Sequence, residues 1–184
     1  MTRTAMRTLV VMGVSGCGKS TLGRALAERL GWRFVEGDTL HPSANVEKMR
    51  AGIALDDADR RPFLDAVAQA LVDARTASPH SGVVASCSAL KRGYRDRIRA
   101  RAGAVTFVMP ELTRAQLATR LARRTDHFMP ATLLDSQLAA LEPPGADEQA
   151  IRIDGSASTD AQVMQVLAAL TAPDTRPSHP TVPP

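Results

Sequence analysis

TLVVMGVSGCGKS, residues 8–20, decides the fold of this chain. The apolar run TLVVM passes directly into Gly-x-x-x-x-Gly-Lys-Ser, from Gly13 to Ser20, with a further glycine at position 16. Glycines at such positions let the backbone take positive φ and turn successive N–H groups onto an anion. A lysine after the last glycine reaches the β- and γ-phosphates, and a serine hydroxyl ligates Mg²⁺. The following stretch, STLGRALAERL, repeats leucine at 22, 26 and 30 and meets Gly31 at the helix stop position. Strand, glycine turn and helix together read as a P-loop that grips a nucleoside triphosphate. Gly13, Val14, Ser15, Gly16, Cys17, Gly18, Lys19, Ser20 and Thr21 form the grip, with Lys19 catalytic and Ser20 on the metal. Cys17 lies in this nest beside Lys19, an environment that lowers a thiol pKa, so it is expected to be a site of alkylation that nucleotide protects.

Outward from that motif, 184 residues favour one domain, spanning 1–172, with a sizeable core. No run of eighteen apolar residues is present, and the N-terminus enters the P-loop too early for a signal peptide, which points to the cytoplasm and away from a membrane. Cys17 and Cys87 have no spacing that suggests zinc or a disulfide framework. The net charge of +4 comes with dispersed arginines and only six aromatics, so it suits anionic small substrates better than nucleic acid. Lysine is scarce, at 19, 48 and 91 only, which singles out positions where a compact ammonium is needed.

Strand and helix signals alternate along the chain. Strands are expected at 8–12, 32–35, 82–87, 104–109 and 150–153. Helices are expected after the P-loop, over 43–51, over 61–77 with Pro62 near the start, from the basic segment after 91 to Arg101, and from the Thr113–Gln116 capping box. Pro130 opens a further helix with Leu134, Leu138 and Leu141 on one side, and Thr159 with Gln162 caps the last. Residues 171–184 hold five prolines and no apolar period, so 173–184 read as a disordered tail. This alternation calls for an α/β fold, a parallel sheet with helices on both faces, and for ligands at the carboxyl ends of the strands.

Those strand ends separate the classes of P-loop protein. The chain has neither N-K-x-D nor D-x-x-G, which excludes a guanine-specific switch, and the third strand ends in AlaSerCysSer without the carboxylate a motor ATPase places there. The early acids are Glu36 and Asp38, directly after the second strand. An acid at that point suits a small-molecule kinase, where Asp38 takes the proton of the attacking hydroxyl. Arg120, Arg123 and Arg124 end a helix expected to close over the nucleotide. Arg124, nearest the turn, is the choice to span the transferring phosphoryl group, and Arg120 comes next as an ATP contact.

The sequence resembles the gluconate kinases of the P-loop small-molecule kinase group. The resemblance covers residues 8–170. It rests on MGVSGCGKS, on GDTLHP with NVEKM at 45–49, on LDDADRRPFL at 55–64, on CSALKRGYRD at 87–96, and on HFM with LLDSQLAALEPP ending at 144. It implies transfer of phosphate from ATP, with Mg²⁺, to D-gluconate, a five-stranded parallel core with a mobile lid over about 120–142, and a homodimer. Phe63 stands where tryptophan is common, and ThrAspHis replaces a frequent x-Gly-His before Phe128. An acid sugar needs a cation for its carboxylate and acceptors along its hydroxyls. His41, Arg60, Lys91 and Arg95 are candidate cations, Asp38 and Asp59 candidate acceptors, and His127 a further substrate contact in the lid. Asp56, Asp57 and Asp59 serve either the substrate or the cap of the helix that follows.

Overall fold

The computed structural model describes residues 8–123 and 133–172. Five strands, β1 (Thr8–Val11), β2 (Arg33–Val35), β3 (Val83–Ser86), β4 (Thr106–Glu111) and β5 (Ala150–Asp154), form one sheet in the order β2-β3-β1-β4-β5. Every pairing is parallel, with Val11 beside Ser86 on one side and Val108 on the other. All four residues of β1 and of β3 are buried, the unbroken apolar pattern of strands covered on both faces.

Helices α3 (Asp57–Ala77) and α4 (Arg92–Ala102) cover one face, where Phe63, Leu64, Val67 and Leu71 pack with Ile98 and Phe107. Helices α1 (Lys19–Leu30) and α7 (Thr159–Thr171) cover the other, where Leu22 and Leu26 meet Val163 and Val166. Three shorter helices, α2 (Ser43–Arg50), α5 (Arg114–Ala122) and α6 (Leu134–Ala140), stand around the carboxyl ends of the strands, preceded by a 3₁₀ turn at Gly37–Leu40. Leu117, Leu121 and Leu134 form an apolar cluster against Val14 and Cys17 of the P-loop.

Most expected elements fall within two residues of their places, and two helix starts are corrected. Helix α3 begins at Asp57, four residues before the predicted start. Asp56 accepts the Asp59 N–H at 2.8 Å and Asp59 accepts the Asp56 N–H at 3.1 Å, a reciprocal cap that carries the first turn ahead of Pro62. Helix α7 is capped by Ser158, whose hydroxyl accepts the Ala161 N–H at 3.3 Å, rather than by Thr159. Gln162 turns back instead to the carbonyls of Gly155 and Ala157. Arg124, His127 and the tail 173–184 lie outside the described residues, as does part of the expected lid.

Candidate active site

The P-loop leaves β1 at the centre of the sheet, where the connections diverge to either side. Gly13, Gly16 and Gly18 all take positive φ, and Gly18 at 93° is the residue from which α1 starts. Lys19 folds back on the loop, its Nζ donating to the Val14 carbonyl at 3.1 Å. Close by, Gly37 brings the end of β2 onto the end of β3. A Cβ there would lie 1.9 Å from the Ser86 carbonyl oxygen, so no other residue fits.

That approach delivers Glu36 to the P-loop. Ser20 Oγ donates to Glu36 Oε1 at 3.0 Å, Ser86 Oγ donates to the same oxygen, and Arg24 pairs with Oε2 at 3.3 Å. Ser86 stands where a motor would carry its acid, and the carboxylate arrives from the neighbouring strand instead. Hydroxyl and carboxylate oxygens form a hard donor set that fits Mg²⁺, an ion that takes few protein ligands and leaves its other positions to water and phosphate.

Two clefts flank the loop and share Gly16 and Gly18. The first is lined by Lys19 and Ser20 together with Asp38, His41, Arg60 and Gln137. The second is lined by Thr21, Arg120, Arg123, Ser158 and Gln162. The structure therefore brings together Asp38, His41 and Arg60 of the expected substrate set, and places Arg120 with the P-loop on the opposite side. Arg120 donates to the Gly155 carbonyl at 2.8 Å, which joins α5 to the turn before α7.

Within the first cleft, His41 lies flat on Phe63, with ring centroids 3.6 Å apart. Burial pushes its pKa down to about 4, against the opposing pull of Asp38 and with a contribution from Arg60. His41 is therefore neutral at pH 7 and is not the expected cation. Arg60 is buried to 9% exposure and, among the described residues, makes one side-chain hydrogen bond, from Nε to the Leu55 carbonyl at 3.4 Å. It supplies the buried positive charge of this wall.

Two further expectations are overturned, for Arg95 and for Cys17, and Lys91 is engaged by an acid. Arg95, read as a substrate cation, is fully buried and pairs with Glu148 through two hydrogen bonds of 2.6 and 2.8 Å, while its Nη1 donates to the carbonyls of Ala89, Leu90 and Glu142. Lys91 pairs with Asp57 at 2.7 Å, with Tyr94 on the same carboxylate, and lines a groove that adjoins the first cleft and shares Leu55, Arg60 and Ser136 with it. The Asp57 carboxyl is held low chiefly by its hydrogen bond from Lys91. Cys17 is 2% exposed, with its Sγ directed to the Met12 carbonyl inside an apolar cluster, so burial removes the open thiol on which its reactivity was argued. Cys87 is also buried, which raises its thiol pKa to about 12. Of the acids before α3, Asp56 and Asp59 form the cap, and Asp59 also takes Lys48 at 2.7 Å.

A family model described as an AAA domain matches residues 9–144. The gluconokinase of Gluconobacter oxydans is 49% identical over 91% of this chain and 93% of its own length. A crystal structure of a gluconokinase from Sinorhizobium meliloti superposes with a TM-score of 0.78 at 45% identity, covering 89% of this chain and 91% of that one. The chain belongs to the gluconokinase family. An unliganded sugar kinase from Janibacter has the same fold at a TM-score of 0.82 and 39% identity, covering 90% of this chain and 94% of its own.

Two site residues of this gluconokinase-family chain escaped the sequence reading. Glu36 was grouped with Asp38 without a separate role, because nothing local shows that β2 and β3 converge on Ser20. Gln137 lies in the LLDSQ string, where leucine spacing signals a helix but gives no sign that one polar side chain faces the P-loop.

Proposed function

We propose that this chain transfers the γ-phosphoryl group of ATP to the 6-hydroxyl of D-gluconate, giving ADP and 6-phospho-D-gluconate. The observation that carries the reading is one cleft holding the phosphate-gripping lysine, an acid and a buried arginine with one long side-chain hydrogen bond among the described residues. Arg60 takes the gluconate carboxylate, because His41 is neutral and Lys19 belongs to the phosphates. His41 offers a neutral ring for hydrogen bonds along the hydroxyl chain, with Phe63 holding its plane. Asp38 orients the attacking hydroxyl and takes its proton as the oxygen–phosphorus bond forms and the bond to ADP breaks.

The P-loop amides and Lys19 hold the phosphates, and Ser20 with Glu36 would hold Mg²⁺, which neutralises charge on the phosphate oxygens when bound. Arg120 lies against the nucleotide side, and Arg124 is assigned the transferring phosphoryl group. His127 is assigned to the acceptor. We place the reaction in the cytoplasm and expect a homodimer that binds neither nucleic acid nor membrane. No helix among the described residues is long and apolar enough to cross a bilayer.

A coupled ADP-release assay across gluconate, shikimate, AMP and CMP tests the reading. Turnover with gluconate and background with the others is the expected result. Background with gluconate and turnover with one of the others would overturn it.

A further inference from the structure

Gln137 touches the P-loop from outside the nucleotide motif. Its Oε1 accepts the backbone N–H of Ser15 at 2.6 Å, and both residues are buried, at 6% exposure each. An N–H donor requires the amide oxygen as partner, so this contact sets the orientation of the side chain.

The position of that N–H gives the contact its meaning. Ser15 lines the cleft of Asp38, His41 and Arg60 but not the cleft of Arg120, whereas Gly16 and Gly18 line both. The Ser15 N–H thus belongs to the lip of the loop on the acceptor side. Gln137 is held there by its own helix. Leu134 of α6 packs with Val14, Leu90 and Leu117, and Leu133 packs with Met49 and Leu55, so one turn is braced on the P-loop and on the acceptor wall together.

We propose that Gln137 is a positioning residue for phosphoryl transfer. By holding the Ser15 N–H it fixes the acceptor-side lip of the P-loop, so that the γ-phosphoryl group meets the bound alcohol in line and water is kept from competing. A neutral amide suits this place. A carboxylate would accept the same hydrogen bond but would set a negative charge against an anion-binding loop. The proposal rests on the gluconate kinase reading.

Two substitutions test it on the full chain. Gln137→Met keeps the side-chain length and removes the acceptor. It is expected to leave the calorimetric Kd for MgATP within threefold, to lower kcat with gluconate at least tenfold, and to raise the ratio of ADP to phosphogluconate above one. Gln137→Glu restores the acceptor with a charge. It is expected to keep the thermal midpoint of the wild type and to weaken MgATP binding at least tenfold. Wild-type kcat and coupling in Gln137→Met would overturn the proposal. So would a fall in kcat that only follows a falling thermal midpoint, with coupling intact, or unchanged MgATP affinity in Gln137→Glu. Wild-type turnover of gluconate is the control for the reading beneath. If it fails, the MgATP arm of Gln137→Glu still decides whether residue 137 borders the phosphates.

Discussion

Two buried arginines, Arg60 and Arg95, sit on consecutive helices of the same sheet face, and their surroundings could hardly differ more. Arg95 is saturated by the two oxygens of Glu148 and three carbonyls, and ties α4 to the loops at 87–90 and 142–148. Among the described residues, Arg60 has one long hydrogen bond, the Tyr94 ring at 5.8 Å and a cleft in front of it. A buried charge with every donor matched is committed to the fold, whereas one facing a cavity with few partners is available to an anionic ligand. The comparison shows that burial alone does not separate a structural charge from a binding one. The inventory of its partners does.

The largest effect is expected beside Arg60. Asp38→Asn should lower kcat by roughly 10²–10⁴, the usual cost of a lost general base, with MgATP binding by calorimetry unchanged. A kcat within a few-fold of wild type would remove Asp38 from proton transfer.

Exchanging each arginine for methionine tests the contrast directly. Arg60→Met should raise the KM for gluconate roughly 10- to 100-fold, the worth of charge-assisted hydrogen bonds to a carboxylate, with little change in thermal midpoint. Arg95→Met leaves the buried Glu148 with Arg99 at 3.2 Å as its remaining cation, so the cost approaches the roughly 3–5 kcal/mol of a broken buried pair. The thermal midpoint should fall by roughly 10 °C, because a domain of this size loses about 2–4 °C per kcal/mol. The two variants should therefore fail in different assays, and a shared phenotype would erase the distinction.

Acid separates the two regions by pH window. Hydrogen bonds from Arg95 hold the Glu148 pKa at about 2, below its ordinary 4.5. The stability this pair contributes is present above pH 4.5 and is lost as pH falls from there toward 2. His41 titrates at about 4 in the folded chain against 6.5 unfolded. The unfolded chain takes up that proton first, so stability falls between pH 6.5 and 4. Thermal midpoints should decline in both windows, with His41→Gln flattening the upper one and Glu148→Gln the lower.

Lys91→Ala marks the small end of the series. Its half-exposed pair with Asp57 lies outside the first cleft, so kcat and KM should stay within about twofold, as for most surface ion pairs. A large rise in the KM for gluconate would return Lys91 to the substrate set.

Much of this was legible in the chain itself. The apolar run at 8–12, the glycines at 13, 16 and 18, and Gly31 dictated β1, the P-loop and α1 through backbone conformation alone, because each signal is local. The Thr113–Gln116 capping box was read correctly for the same reason. The start of α3 was misplaced because Pro62 is a strong punctuator, while the competing signal, an acid at 56 answered by an acid at 59, is a weaker form of capping box. The position of Asp38 in the cleft follows from its place just after a strand end. Lys91 also follows a strand, but nothing local shows that Asp57, 34 residues away, takes its ammonium.

The sequence by itself determined the fold class, the phosphate grip and the acid that follows the second strand. Periodicity, glycine placement and spacing all act within a few residues of one another. Only the tertiary structure decided which cations are spoken for. Arg95 meets its carboxylate 53 residues away, Ser20 meets Glu36 across the sheet end, and Ser15 meets Gln137 across 122 residues. A charge is satisfied by whatever packing brings within about 3 Å, and no local pattern records a partner that arrives from another part of the chain.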